Sequence, residues 1–236
     1  MAMQRAGEWV RVGVVGLAAL LICPPLNVVA AGRQGGGQVG GTDADPQRVT
    51  STPYAGDLSI FETPGRDERL QIGRVMDLLG VVSGKSVADI GAGSGWFTVR
   101  AARRVGVGGR VYAEDINPKA IEAIETRAKN EKLPNIQTVL GTPDDVKLAP
   151  ASVDAVLLLK VYHEIAHPAV VMRELRTSLK PGGRIGIIDR NGNGADHGLD
   201  RAVVEREMRA DGFVLKEKYD FTKADGQDYF LIFTAK

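Results

Sequence analysis

The chain is poor in the residues that most often settle a functional assignment. Of 236 residues only one is cysteine, Cys23, so no internal disulfide can form and a cysteine-built scaffold or thiolate metal site is excluded. Only three are histidine, His163, His167 and His197. Net charge is nearly absent: 30 basic against 29 acidic side chains leave +1, which withholds the field that a dedicated nucleic-acid binder depends on. Long apolar runs are missing as well. The run that starts at Val12 is ended by Pro24-Pro25, short of the roughly 20 residues a membrane span needs. What is present is ordinary for a soluble globular protein, 44% hydrophobic and 25% charged residues, which excludes disorder, collagen and a multi-span membrane protein. The length suits one domain of about 150 to 200 residues with appendages.

The amino terminus reads as an appendage. Arg5 and Arg11 precede the apolar run Val12 to Ile22, the helix-breaking Pro24-Pro25 follows, and Val28-Val29-Ala30-Ala31 offers small residues for cleavage. That order is a secretory signal peptide over residues 1–30, with a membrane-anchored form as the alternative. A periplasmic or secreted location follows as the expectation, without stable membrane insertion once the segment is cleaved. Lipidation of Cys23 is disfavoured because Ile22, not a small residue, stands before it. Residues 31–56, rich in Gly, Gln, Thr, Asp and Pro, lack apolar periodicity and read as a flexible linker. The remaining residues, 57–236, are expected to form one domain.

From Arg66 onward apolar runs alternate with amphipathic stretches. The spacing of Leu70, Ile72, Val75, Met76, Leu78 and Leu79 predicts a helix closed by Gly80. Strands are expected at Val87–Ile90, Arg110–Ala113, Ile136–Leu140, Val153–Leu159 and Arg184–Ile188. Helices are expected at Trp96–Val105, from Pro118 to about Lys132 with Asn117 as cap, and from Pro168 to the Lys180-Pro181-Gly182-Gly183 stop. This order predicts an α/β fold with a doubly wound, Rossmann-like parallel sheet. The tail departs from the alternation. After a helix near Leu199 to Ala210, two β runs flank the turn Lys223-Ala224-Asp225-Gly226 and predict an antiparallel hairpin.

The chemistry begins at Gly91-Ala92-Gly93-Ser94-Gly95, between a predicted strand and a predicted helix. Glycines there let backbone N–H groups and the helix N-terminus approach a ligand. Asp115 follows about 20 residues later at the end of the second strand, where a carboxylate accepts from two ribose hydroxyls. Together they mark an adenosine-containing ligand.

Val87-Ala88-Asp89-Ile90-Gly91-Ala92-Gly93-Ser94-Gly95, Asp115-Ile116-Asn117-Pro118, Gly141-Thr142-Pro143-Asp144-Asp145 and Leu179-Lys180-Pro181-Gly182-Gly183 resemble, in order and spacing, the class I S-adenosylmethionine-dependent methyltransferases. The likeness runs from about Arg66 to the end. It implies a seven-stranded sheet, mostly parallel, whose terminal hairpin lies beside strand five, and S-adenosyl-L-methionine as cofactor. It also implies site residues. Gly91, Gly93 and Gly95 would hold the methionine and ribose portion, Asp89 would accept from the methionyl amine, and Asp115 with the adjoining Ile116 would take the ribose. Asp144, or next to it Asp145, would take the adenine amine. Trp96 is expected to pack the first helix on the sheet, and Asp154 to cap the entry to strand four. Phe61, Arg66 and Asp67 lie in a segment that lids the cofactor in similar enzymes.

Tyr162-His163-Glu164-Ile165-Ala166-His167-Pro168 contains the H-E-x-x-H spacing of zinc peptidases. That reading needs His167 to be helical, which Pro168 opposes, and no metal is expected from it. In a doubly wound sheet this segment instead leaves strand four at the ligand crevice. There His163 would act as general base, Glu164 would orient it or the acceptor, and Tyr162 would help wall the acceptor pocket. The acceptor is expected to be a small molecule, since the Asn-Pro-Pro-Tyr type of sequence carried by amino-group methylases of bases is absent and the charge is balanced. Two alternatives stay open: an exported, non-catalytic module that keeps the cofactor fold, and a nicotinamide-dependent oxidoreductase, which the terminal hairpin disfavours.

Overall fold

Apolar runs rich in β-branched and aromatic residues make the central strands of one sheet buried on both faces, while the edge strands alternate more and less exposed residues. In the computed structural model, which describes residues 48–222 and 228–236, the strands are β1 (Ser86–Ile90), β2 (Arg110–Asp115), β3 (Ile136–Leu140), β4 (Val153–Leu159), β5 (Leu179–Arg190), β6 (Phe213–Tyr219) and β7 (Asp228–Ala235). Their order is β3-β2-β1-β4-β5-β7-β6. Strands β1 to β5 pair in parallel, while β7 runs antiparallel between β5 and β6. The strand order reverses between β1 and β4, and the carboxyl ends of those two strands define the crevice in which such sheets bind ligands.

The helices are α1 (Arg66–Leu70), α2 (Ile72–Leu79), α3 (Trp96–Val105), α4 (Pro118–Asn130), α5 (Pro168–Ser178) and α6 (Arg201–Ala210). Strand β4 shows how they divide between the faces. Val156 and Leu158 join Met172 and Leu175 of α5 and Val204 and Met208 of α6, whereas Ala155 and Leu157 join Val75 of α2 and Phe97 of α3. Asn117 caps α4 by accepting from the Lys119 N–H, with Pro118 in its first turn.

The amphipathic stretch expected as one helix from Leu70 is two, because Gln71 adopts the left-handed conformation (φ 46°) and breaks it. Strand β5 starts at Leu179, five residues earlier than expected, and takes in the Pro181-Gly182-Gly183 stop. Its register against β4 shifts between Val153 and Ala155, and Lys180 is tied to Asp154 at 2.7 Å. Asp154 does join the strand entries: it accepts from Lys85, the Ser86 N–H and Lys180. Burial works against its ionisation, but those three donors outweigh it and hold its pKa at about 2.

The signal-peptide reading of residues 1–30, the linker through residue 47 and the turn at Lys223-Ala224-Asp225-Gly226 lie outside the described residues. The last part of the expected linker is tied to the domain. Arg48 donates to the carbonyls of Tyr162 and Ile165 and pairs with Glu207 at 2.6 Å, and the buried Ser51 donates from Oγ to the Gly194 carbonyl. Among the described residues no helix is long and apolar enough to cross a membrane.

Candidate active site

The glycine turn closes β1 and opens α3 at the carboxyl edge of the sheet. Gly91, Gly93 and Gly95 all have positive φ. At Gly91 the reason is visible: φ is 65°, and a Cβ there would stand 2.5 Å from Cγ2 of Val161, which enters from the loop after β4.

Three carboxylates surround this turn. Asp89, buried at the end of β1, accepts from Thr98 Oγ1 at 2.6 Å. Burial pushes its pKa up to about 7 against the pull of the Thr98 hydrogen bond, and the charge of Asp115 adds to the rise. Asp115 accepts from the N–H groups of Gly93 and Asn117, each at 2.8 Å, and burial raises its pKa despite those bonds. Glu114 was not singled out by sequence reasoning. It is buried behind the turn, accepts from the Gly91 N–H at 3.4 Å, and is pushed up to about 8 by burial and then by the charge of Asp115. The available signal was a glutamate inside an otherwise buried parallel strand. Ile116, beside Asp115, is partly exposed at 37%.

The neighbouring aspartates divide. Asp144 turns to His167, Oδ1 to Nδ1 at 2.7 Å with both side chains half exposed. Asp145 accepts from the Lys147 N–H and lies near enough to Glu114 for its charge to raise the glutamate's pKa. The structure thus groups Asp89, Glu114, Asp115 and Asp145 around the turn, and leaves Asp144 engaged with the loop after β4.

A short 3-10 turn, Leu58–Glu62, lies across the glycine turn. Glu62 accepts from Ser94 Oγ at 2.6 Å and Arg127 at 2.5 Å, and the Phe61 ring is within 3.3 Å of where a Cβ on Gly93 would stand. Arg66 donates to the Phe61 carbonyl and stacks on Trp96, which is buried against the sheet, while Asp67 holds Arg100 through two bonds. Phe61, Arg66 and Asp67 thus acquire places: one covers the turn and two brace the cover.

On the other side of the crevice, the segment after β4 forms a single 3-10 turn, Tyr162–Glu164, instead of a helix. Ile165 is extended and His167 becomes the residue before α5, as Pro168 dictates. His163 and His167 therefore do not share a helical face. His163 is buried, and its Nδ1 lies 2.9 and 3.0 Å from the two oxygens of Asp189, whose Oδ2 also accepts the His163 backbone N–H. Nε2, 3.8 Å from Glu164 Oε1, has no hydrogen-bond partner. Burial pushes the Glu164 carboxyl up to about 7, with the charge of His163 opposing. Asp189 is a second residue that sequence reasoning missed; its only mark was a charge at the end of the apolar run Ile185–Ile188.

Tyr162 departs from expectation. It is fully buried in the core, its hydroxyl donates to Glu207 Oε2 of α6 at 3.0 Å, and Arg48 lies 5.0 Å over its ring. Its ring is packed in the core and its hydroxyl is engaged by α6.

This is the Rossmann-like α/β fold of methyltransferases, with the glycine turn at its switch point. Residues 88–187 match the family model described as a methyltransferase domain. An uncharacterized methyltransferase of Mycobacterium tuberculosis is 34% identical over 113 residues, 48% of this chain and 43% of the relative. A demethylmenaquinone methyltransferase of Tropheryma whipplei is 32% identical over 108 residues, 46% of this chain and 43% of the relative. The chain spans less than half the length of these curated relatives. Among solved structures, a SAM-dependent methyltransferase from Aquifex aeolicus superposes with a TM-score of 0.69 at 20% identity, covering 77% of this chain and all of the other. The geranyl diphosphate C-methyltransferase of Streptomyces coelicolor, in complex with Mg2+, geranyl diphosphate and S-adenosyl-L-homocysteine, superposes with a TM-score of 0.60 at 17% identity, covering 80% and 90%.

Proposed function

We propose that the chain is an S-adenosylmethionine-dependent methyltransferase that acts on a small-molecule acceptor. The observation that carries this reading is the cluster of buried carboxylates about the glycine turn at the switch point, Asp89 and Asp115 at its edge and Glu114 behind it. Such carboxylates suit a ligand that combines a cationic amino acid with a ribose. Asp89 takes the methionyl ammonium, Asp115 the ribose hydroxyls with Ile116 beside the sugar and base, and Asp145 or Asp144 the adenine amine. Two of the similar proteins are named for small acceptors, demethylmenaquinone and geranyl diphosphate, and this favours the same class here.

Methyl transfer from a sulfonium is an in-line displacement, so alignment and exclusion of water supply much of the rate. Phe61 over the glycine turn serves the second purpose. At the acceptor end, Asp189 holds the His163 ring with its proton on Nδ1, so that the Nε2 lone pair is the base that takes a proton from the acceptor when nothing else occupies it. Glu164 flanks that nitrogen. The signal-peptide reading would place this activity outside the cytoplasm, and the amino-terminal sequence of the mature protein tests that.

Calorimetric titration of the chain with S-adenosylmethionine and its demethylated product, with NAD as control, tests the reading. Binding in the micromolar range is expected for the first two and none for NAD. Asp115→Ala is expected to weaken binding about 5- to 150-fold, on the order of 1 to 3 kcal/mol for ribose hydroxyls left unpaired. No binding by a folded chain would leave only the architecture.

A further inference from the structure

His163 Nε2 is a buried imidazole nitrogen with no hydrogen-bond partner, a state that native proteins seldom leave without a use. Both oxygens of Asp189 face Nδ1, and a carboxylate only accepts, so in the neutral ring the proton belongs on Nδ1 and the lone pair on Nε2. Two further donors converge on it. Glu164 Oε1 lies 3.8 Å away, and His197, from the loop between β5 and α6, stands edge-on to the His163 ring with centroids 5.9 Å apart. One ligand atom from each of the three residues falls within 4.8 Å of the others.

We propose that His163, Glu164 and His197 bind a divalent transition-metal cation, with Asp189 as the residue that orients His163. Two imidazoles and one carboxylate are the donor set of three-ligand zinc sites, and imidazole disfavours the oxygen-seeking magnesium and calcium. A carboxylate on the far nitrogen of a ligating histidine is the usual support of such a site. Ligands about 2.1 Å from a tetrahedral ion stand roughly 3.4 Å apart, so the His163–Glu164 pair is close to the required spacing. His197 is exposed and on a loop, and its ligand atom already lies within 4.8 Å of the other two. This is a different triplet from the H-E-x-x-H spacing, since His167 is engaged with Asp144. The loop that supplies His197 is itself held in place: the His197 N–H donates to Ser51 Oγ at 2.9 Å, while the Ser51 N–H donates to the His163 carbonyl at 3.4 Å. One serine thereby links the two segments that carry the ligands.

The fourth position of the ion is left for an oxygen ligand. The binding site stands on its donor set and does not need the methyl-transfer reading. Its consequence for the acceptor rests on that reading: with the ion on Nε2, His163 no longer serves as base, and a coordinated acceptor hydroxyl loses its proton to solvent before its oxygen attacks the methyl group.

The test is titration of the full chain, without an affinity tag and stripped with a chelator, with zinc chloride and with cobalt chloride; S-adenosylmethionine is titrated separately. One equivalent of zinc at micromolar affinity or tighter is expected, with the visible absorption of four-coordinate cobalt. His197→Ala should weaken zinc binding at least tenfold with an unchanged melting temperature, because the side chain is exposed, and Asp189→Asn should weaken it about 10- to 100-fold. The absence of saturable one-to-one binding, or equal affinity in His197→Ala and Glu164→Gln, would overturn the proposal. Zinc binding without S-adenosylmethionine binding would uphold this site and remove the methyltransferase reading; the opposite pattern would do the reverse.

Discussion

Asp189 and His163 are 26 residues apart in the chain and 2.9 Å apart in the fold, both buried, with Asp189 accepting from the ring and from the backbone N–H of the same histidine. The end of β5 therefore sets both the position and the tautomer of a side chain on the loop after β4. Asp189→Asn is expected to shift His163 from the Nδ1–H form toward the Nε2–H form, which 15N spectra of the histidine rings would read directly. A cost of about 1 to 3 kcal/mol in unfolding free energy is expected beside it, since buried donors lose a charged partner. An unchanged tautomer would show that Asp189 does not orient the ring.

The buried carboxylates at the glycine turn set a pH dependence. Asp89 and Glu114 have pKa values raised to about 7 and about 8, so the folded chain keeps protons that the unfolded chain releases above about pH 4. Between those limits the native state binds more protons than the unfolded one, and stability must fall as pH rises. Thermal melts without cofactor are expected to move down from pH 5 to pH 8, and Glu114→Gln to flatten the slope. Over the same range S-adenosylmethionine affinity should rise, because its cationic groups favour the ionised carboxylates. A melting temperature that climbs from pH 5 to pH 8 would contradict both assignments.

Gly91 combines a positive φ with a neighbour in the way, Val161 Cγ2 at 2.5 Å from a Cβ. Gly91→Ala is expected to lower stability by about 2 to 4 kcal/mol, from strain and from overlap together. Adding Val161→Ala should return only the overlap part, and chemical denaturation of the single and double variants separates the two.

Arg48 reaches two carbonyls of the loop after β4 and the Glu207 carboxylate. Arg48→Ala leaves those acceptors and a partly buried carboxylate without their cation. Hydrogen exchange at residues 162–165 is expected to quicken, with a loss of roughly 1 to 3 kcal/mol in stability. Exchange as slow as in the parent chain would mean that this segment does not brace the loop.

Period and punctuation sufficed for much of the architecture. The bounds of β3, β4 and α3 follow from apolar runs closed by glycine, proline or turn residues, and the glycine turn with Asp115 marks the switch point in the sequence itself. These features are local: a strand of apolar residues and a left-handed glycine carry their reason in a few consecutive positions. The helix break at Gln71, whose side chain donates to the distant Phe221 carbonyl, and the early start of β5, which pairs with β4 through a shifted register, were hidden.

The site divides along the same line. Residue identity and order in the chain determined that a cofactor-type turn exists, and that His163 and Glu164 leave β4 at the ligand edge. Which groups meet there was decided by the fold. Asp189 and His197 arrive from β5 and the loop after it, Glu114 turns behind the glycines, Tyr162 is drawn into the core, and Arg48 comes back from the expected linker. Contacts between segments far apart in sequence depend on strand order and register, and a pattern of neighbouring residues carries no record of either.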